Sequence, residues 1–154
     1  MRLRDHLRAD LVLADLEATD RLSTIDRIAE FLATREPVLS YDEVREALLL
    51  REEAHSTVMG SGLALPHATL PGLDRTLLGI AVARTPIAFG EVGDDEVRLF
   101  FVLLSPPGAQ GTHIKLLARI CRLVRISGVT DDLLGAHSAD ALVRVLLRHD
   151  EAHV

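Results

Sequence analysis

Leu77-Leu-Gly-Ile-Ala-Val-Ala83 and Val97-Arg-Leu-Phe-Phe-Val-Leu-Leu104 are the stretches on which the fold turns. Each is a nearly unbroken apolar run of strand length, bounded by turn-forming or charged residues. Runs of this kind read as buried strands, apolar on both faces and covered from both sides. Between them, Gly90-Glu-Val-Gly-Asp-Asp-Glu96 has the composition of a solvated acidic turn.

Upstream, the sequence turns helical. Ser40-Tyr-Asp-Glu43 is a helix-start pattern, and Val44, Ala47, Leu48 and Leu50 carry that helix to Arg51. An earlier helix is expected to open at Ser23-Thr-Ile-Asp26 and to stop before Pro37, with Ile25, Ile28, Ala29 and Leu32 at helical spacing. Before it, Leu11 to Leu16 suits an edge strand, and the first ten residues read as polar and loosely held. Downstream, Pro106-Pro107-Gly108 ends the second strand. An amphipathic helix is expected from about Thr112 to Ile126, with Ile114, Leu117, Ala118, Cys121 and Val124 on its buried stripe. A last helix begins at Ser138. Helices around a strand-rich middle predict an α/β fold, a single-domain sandwich with a mixed β-sheet flanked by helices on both sides. The domain is expected to span residues 1–154, with its core at about 11–147.

Composition narrows the function classes. At 154 residues, 48% hydrophobic and 26% charged, the chain suits one ordinary globular domain. No stretch reaches the roughly 18 apolar residues of a membrane span, and Met1-Arg-Leu-Arg-Asp-His6 lacks a signal peptide's apolar region. A cytoplasmic location without membrane insertion is the expectation. A net charge of -6, aromatics at 3% and no Trp argue against a nucleic-acid partner. The single cysteine, Cys121, excludes a Cys-x-x-Cys redox or metal pair. There is no P-loop, dinucleotide fingerprint or zinc-protease motif, so neither a cofactor nor a bound metal is expected.

The chemistry gathers around Gly60-Ser-Gly-Leu-Ala-Leu-Pro-His67-Ala68. The glycines permit a tight path, Leu63 to Leu65 suit a short buried strand, and Pro66 ends it, delivering His67 at a strand terminus. A neutral imidazole held rigidly at a surface is a good nucleophile near neutral pH. A histidine in that position is also often purely structural. His113 lies in the first turn of the expected long helix, with Gly111 or Thr112 near its cap, where free N–H groups and the positive dipole end favour an anion. Facing His67, it would orient a phosphoryl group; otherwise it is an ordinary exposed first-turn residue. Arg51 offers a donor fork matched to phosphate, or simply complements the end of its helix. His6, His149 and His153 fall in polar termini and read as solvated, His55 and His137 carry no role, and Cys121 reads as packing.

In order along the chain, Arg51-Glu-Glu, Ser56-Thr, Gly60-x-Gly-x-Ala-x-Pro-His67-Ala, an apolar strand ending in Ser-Pro, and His113-Ile-Lys-Leu-Leu resemble the fructose, mannitol and nitrogen-regulatory IIA proteins of the bacterial sugar phosphotransferase system. Pro71-Gly-Leu-Asp-Arg75 and Pro86-Ile-Ala-Phe89 are similar to that family's connecting segments. The resemblance implies an α/β sandwich whose acceptor histidine, matched by His67, takes a phosphoryl group on its ε nitrogen from the histidine-containing phosphocarrier protein (HPr, or its nitrogen-type paralogue). His113 and Arg51 match the residues that assist that group. Sugar-specific members pass it to a cysteine of a IIB domain; nitrogen-type members act on regulatory target proteins. Cys121 matches no IIB acceptor loop. Val58-Met59 and Ser61 depart from the family's frequent glycine and asparagine, beside the site rather than in it. The partner is expected to dock on an apolar patch flanking His67, built from Leu63, Leu70 and Leu73.

Overall fold

The computed structural model describes residues 1–90 and 96–153. Its elements run β1 (Leu7–Leu16), α1 (Arg21–Arg35), α2 (Tyr41–Ala54), β2 (Val58–Gly60), β3 (Leu63–Ala64), β4 (His67–Thr69), β5 (Leu77–Ala88), β6 (Glu96–Ser105), α3 (Gln110–Val124), α4 (Val129–Leu134) and α5 (Ala139–Ala152).

The two apolar runs pair with each other. β5 lies antiparallel to β6, with Leu78 opposite Leu103 and Val82 opposite Leu99. β1 joins β5 in parallel at the sheet edge, as the Leu11 run suggested. The approach is tight at Gly79, where a Cβ would stand 2.8 Å from the Leu11 carbonyl oxygen. On the other side of β6, β3 and β4 lie end to end, both parallel to it, and β2 closes the sheet antiparallel to β3. The described residues thus form a mixed six-stranded sheet.

Strand alternation divides the core in two. Phe100, Val102 and Leu104 of β6 pack with Ile25, Ile28 and Leu32 of α1 and Val44 and Leu48 of α2. Leu99, Phe101 and Leu103 pack with Leu116, Ile120 and Leu123 of α3 and with α4 and α5. Helices cover both faces of one domain, and the sandwich expected from sequence is what forms.

Four local expectations are corrected. The N-terminus is not loose: Leu3 is fully buried, and its N–H donates to the Asp150 carboxylate at 2.9 Å, which also pairs with Arg119. An apolar residue packed under a helix outweighs the polar look of its neighbours. Helix α1 opens at Arg21, because Asp20 is the cap and Ser23 completes a reciprocal capping box from within the first turn. The buried stripe of α3 is Leu116, Ile120 and Leu123, whereas Ala118 is exposed and Ile114 is 65% exposed. The expected stripe was rotated, since alanine and isoleucine on one side mimic a core face. His149 is not solvated at a frayed end: it lies in α5, with Nε2 2.8 Å from Asp132 Oδ2. The expected acidic turn falls on residues 91–95, outside the described residues.

Candidate functional site

His67 is the first residue of β4 rather than the end of the preceding strand. Pro66 cannot donate to a ladder, so the strand breaks at Leu65-Pro66. The Pro66 carbonyl still accepts from the Leu103 N–H at 3.0 Å, which keeps the following residues in register with β6. Ala68 is buried against α1 and α2, so alternation turns His67 to the opposite face, towards α3. Its Nδ1 lies 2.7 Å from the Leu65 carbonyl oxygen. A carbonyl only accepts, so Nδ1 carries the proton and Nε2 keeps its lone pair. The ring is thus held as the tautomer whose outer nitrogen is nucleophilic.

His113 meets it there. The two ring centroids are 5.2 Å apart with planes tilted by 60°. The cap of α3 is Ala109, two or three residues before the expected position, and the His113 N–H already donates to the Ala109 carbonyl at 3.0 Å. The N–H groups without an intrahelical acceptor belong to the turn before it, Gln110 to Thr112. Ala109 contributes no side-chain cap, leaving those donors and the positive dipole end beside the histidines.

Arg51 lies in the last turn of α2 and joins the pair electrostatically. Burial lowers the pKa of His67 most, and the Arg51 charge adds to it, against opposing contributions from the Leu65 bond and Glu52. Burial also lowers His113 most, followed by the facing His67 ring and then Arg51. Both imidazoles are therefore held neutral below the ordinary histidine range. The Arg51 guanidinium donates through one terminal nitrogen to the His55 carbonyl oxygen at 2.7 Å, which holds the head of this half-buried side chain at the end of α2. The structure thus brings His67 and His113 face to face, and the Arg51 charge acts on both rings.

Sequence reasoning gave no role to several supporting groups, although Glu52, Thr57 and Ser105 stand within the motifs it quoted. Glu52 is 1% exposed and accepts from Thr57 twice, from N–H at 2.6 Å and hydroxyl at 2.7 Å, tying the end of α2 to the segment leading into β2. Ser105 Oγ stands 2.6 Å from His113 Nδ1, with Thr76 Oγ1 3.3 Å behind it. The one available signal was a hydroxyl residue closing an otherwise apolar strand. The expected docking leucines were misplaced: Leu63, Leu70 and Leu73 are 4%, 5% and 7% exposed and belong to the core. Among the described residues, Leu50, 59% exposed, precedes Arg51 in sequence, and Ile114, 65% exposed, follows His113. Among the described residues, no group of three or more His, Cys, Asp or Glu side chains is placed to hold a metal ion, and no helix is long and apolar enough to cross a membrane.

The arrangement offers a nucleophilic nitrogen, a second imidazole whose ring centroid lies 5.2 Å away, a guanidinium whose charge acts on both rings, and a helix N-terminus. Together these suit a covalently held anion.

Comparison with known proteins bears on the family and the fold. The profile of a family described as "Phosphoenolpyruvate-dependent sugar phosphotransferase system, EIIA 2" matches residues 5–149. A nitrogen regulatory protein of Bradyrhizobium diazoefficiens is 32% identical over 95% of both chains. The fructose-specific EIIABC component of Bacillus subtilis is 24% identical, covering 98% of this chain but 24% of its own length. Among solved structures, nitrogen regulatory protein IIA-Ntr of Neisseria meningitidis superposes with a TM-score of 0.84 at 25% identity, covering 94% of this chain and 98% of the other.

Proposed function

The chain belongs to the EIIA 2 family of the phosphoenolpyruvate-dependent sugar phosphotransferase system, and from that membership we propose that it is a phosphohistidine carrier with His67 as acceptor. The observation that carries the proposal is the 2.7 Å contact from His67 Nδ1 to the Leu65 carbonyl, which leaves Nε2 free towards His113. In this reading Nε2 attacks the phosphorus of a phosphohistidine on the histidine-containing phosphocarrier protein. The new P–Nε2 bond forms as the donor's P–N bond breaks, and the electron pair returns to the donor ring. The His67 ring proton stays on Nδ1, held by Leu65. His113, Arg51 and the free N–H groups of α3 meet the phosphoryl oxygens, worth most where water is held off.

Onward transfer goes to a nucleophile on the next partner, the cysteine of a IIB domain in the sugar-uptake reading. The complex of mannitol IIA with phosphorylated mannitol IIB from Escherichia coli, whose IIA shares this fold at a TM-score of 0.74, supports that class of partner. A second reading is a regulatory output, in which the charge of about -1.5 to -2 added at His67 switches docking to a target protein. The likeness to nitrogen regulatory proteins along nearly their whole length favours it. In either case the partner approaches through Leu50 and Ile114, exposed apolar residues adjacent in sequence to Arg51 and His113.

The experiment that tests the reading is incubation with labelled phosphoenolpyruvate, enzyme I and the phosphocarrier protein, followed by a IIB acceptor. Label that reaches this chain and then moves to IIB supports uptake. Label that reaches it and stays supports the regulatory output, and no labelling contradicts the carrier function.

A further inference from the structure

We propose that Ser105, backed by Thr76, is a positioning residue that fixes the tautomer of His113 and so makes Nε2–H its outward donor. The inference rests on the carrier reading above for its use, but not for its test. Ser105 closes β6 and lies on the face that alternation gives to Leu103, the α3 side. It is 1% exposed, Thr76 is 5% exposed, and the contacts run Thr76 Oγ1 to Ser105 Oγ at 3.3 Å and Ser105 Oγ to His113 Nδ1 at 2.6 Å.

Two directions are possible along this chain, and counting donors separates them. If Thr76 donates to Ser105 and Ser105 donates to His113 Nδ1, both buried hydroxyl hydrogens are used. If His113 Nδ1–H donates to Ser105 and Ser105 donates to Thr76, the buried Thr76 hydrogen is left without an acceptor among the described residues. An orphaned buried donor costs about 1–3 kcal/mol, whereas a spare lone pair on an oxygen costs less. The first direction therefore prevails. Nδ1 becomes an acceptor, and the remaining proton sits on Nε2.

That proton is what a phosphoryl group on His67 requires. A bare Nε2 lone pair aimed at phosphate oxygens would repel them, while an N–H donates to them. Burial disfavours charging the ring, so the tautomer has to be set by its other nitrogen. No proton transfer to Ser105 or Thr76 is involved; the hydroxyls act by orientation alone.

The test is the nitrogen NMR spectrum of the unphosphorylated, native full-length chain, recorded where His113 is neutral. The expected result is a protonated Nε2 and an unprotonated Nδ1 on His113, with the reverse pattern on His67. Ser105→Ala should leave the His67 pattern intact, release His113 into a mixture of tautomers, and slow onward phosphoryl transfer on the order of 10-fold, the lower range for losing an outer partner of a functional imidazole. Thr76→Val, which keeps the shape and removes the hydrogen, should produce a smaller shift in the same direction. A native His113 protonated on Nδ1 overturns the proposal, and so does a folded Ser105→Ala chain with the native His113 spectrum. Either result leaves labelling of His67 unaffected, so failure here is distinct from failure of the carrier reading.

Discussion

His113 stands with its ring centroid 5.2 Å from that of His67, presented from a different element and held from behind by Ser105 rather than by its own helix. The two rings are not equivalent. His67 is anchored through Nδ1 to a backbone carbonyl, which leaves its outer nitrogen as a nucleophile. The roles assigned to them follow from that asymmetry. His113→Ala should still accept phosphate from the phosphocarrier protein, but onward transfer should fall on the order of 10²–10³-fold, the usual loss on removing one preorganised donor. Single-turnover transfer to IIB measures it, and an unchanged rate would return His113 to an ordinary surface role.

Docking should depend on Ile114 and Leu50. Ile114→Asp places a carboxylate on a residue that is 65% exposed, so the fold should survive while phosphorylation by the phosphocarrier protein slows by about tenfold or more. Leu70→Asp is the contrasting case. Its side chain is 5% exposed, so an unpaired charge there should destabilise the domain by several kcal/mol, about 3 or more. Circular dichroism melts alongside the rate measurement separate the two effects. Wild-type phosphorylation of folded Ile114→Asp and Leu50→Asp proteins would remove this face from the encounter.

Both site histidines are held below the ordinary histidine pKa of about 6.5, chiefly by burial. A neutral Nε2 therefore persists as pH falls through the range where an exposed histidine charges. Phosphorylation of this chain should hold its rate down to about pH 6.5 and decline only below it. Stability follows the same sign. The unfolded chain binds protons first, so the contribution of these groups is complete above about pH 6.5 and shrinks as pH drops towards the folded values. Denaturant melts of the native chain and of a His67→Asn, His113→Asn double variant check this. The variant should lose less stability between about pH 7 and pH 5, and equal losses would contradict the burial account.

The sheet was legible in the sequence because its central strands are buried on both faces, so Leu77 to Ala83 and Val97 to Leu104 needed no periodicity to be seen. The placement of His67 at a strand end was legible because glycine, proline and histidine at close spacing impose a particular backbone path, whereas Arg51 and His113 were read from their helix ends. What escaped was set by packing rather than pattern. Ile114 and Leu116 are equally apolar, and only the position of the sheet decides that the second is buried and the first exposed. The same holds for Leu70, which lies three residues from His67 yet points into the core. Thr76 is remote in sequence from both Ser105 and His113, and its contact with Ser105 exists only because β5 and β6 pair in register.

The most direct test of the central claim is to phosphorylate the native chain through phosphoenolpyruvate, enzyme I and the phosphocarrier protein, and to locate the phosphoryl group by NMR. It should appear on Nε2 of His67 alone, with an acid-labile and base-stable linkage, and His67→Ala should take up none. Phosphate on His113, on Nδ1 of His67, or at normal yield on the His67→Ala chain would contradict the account.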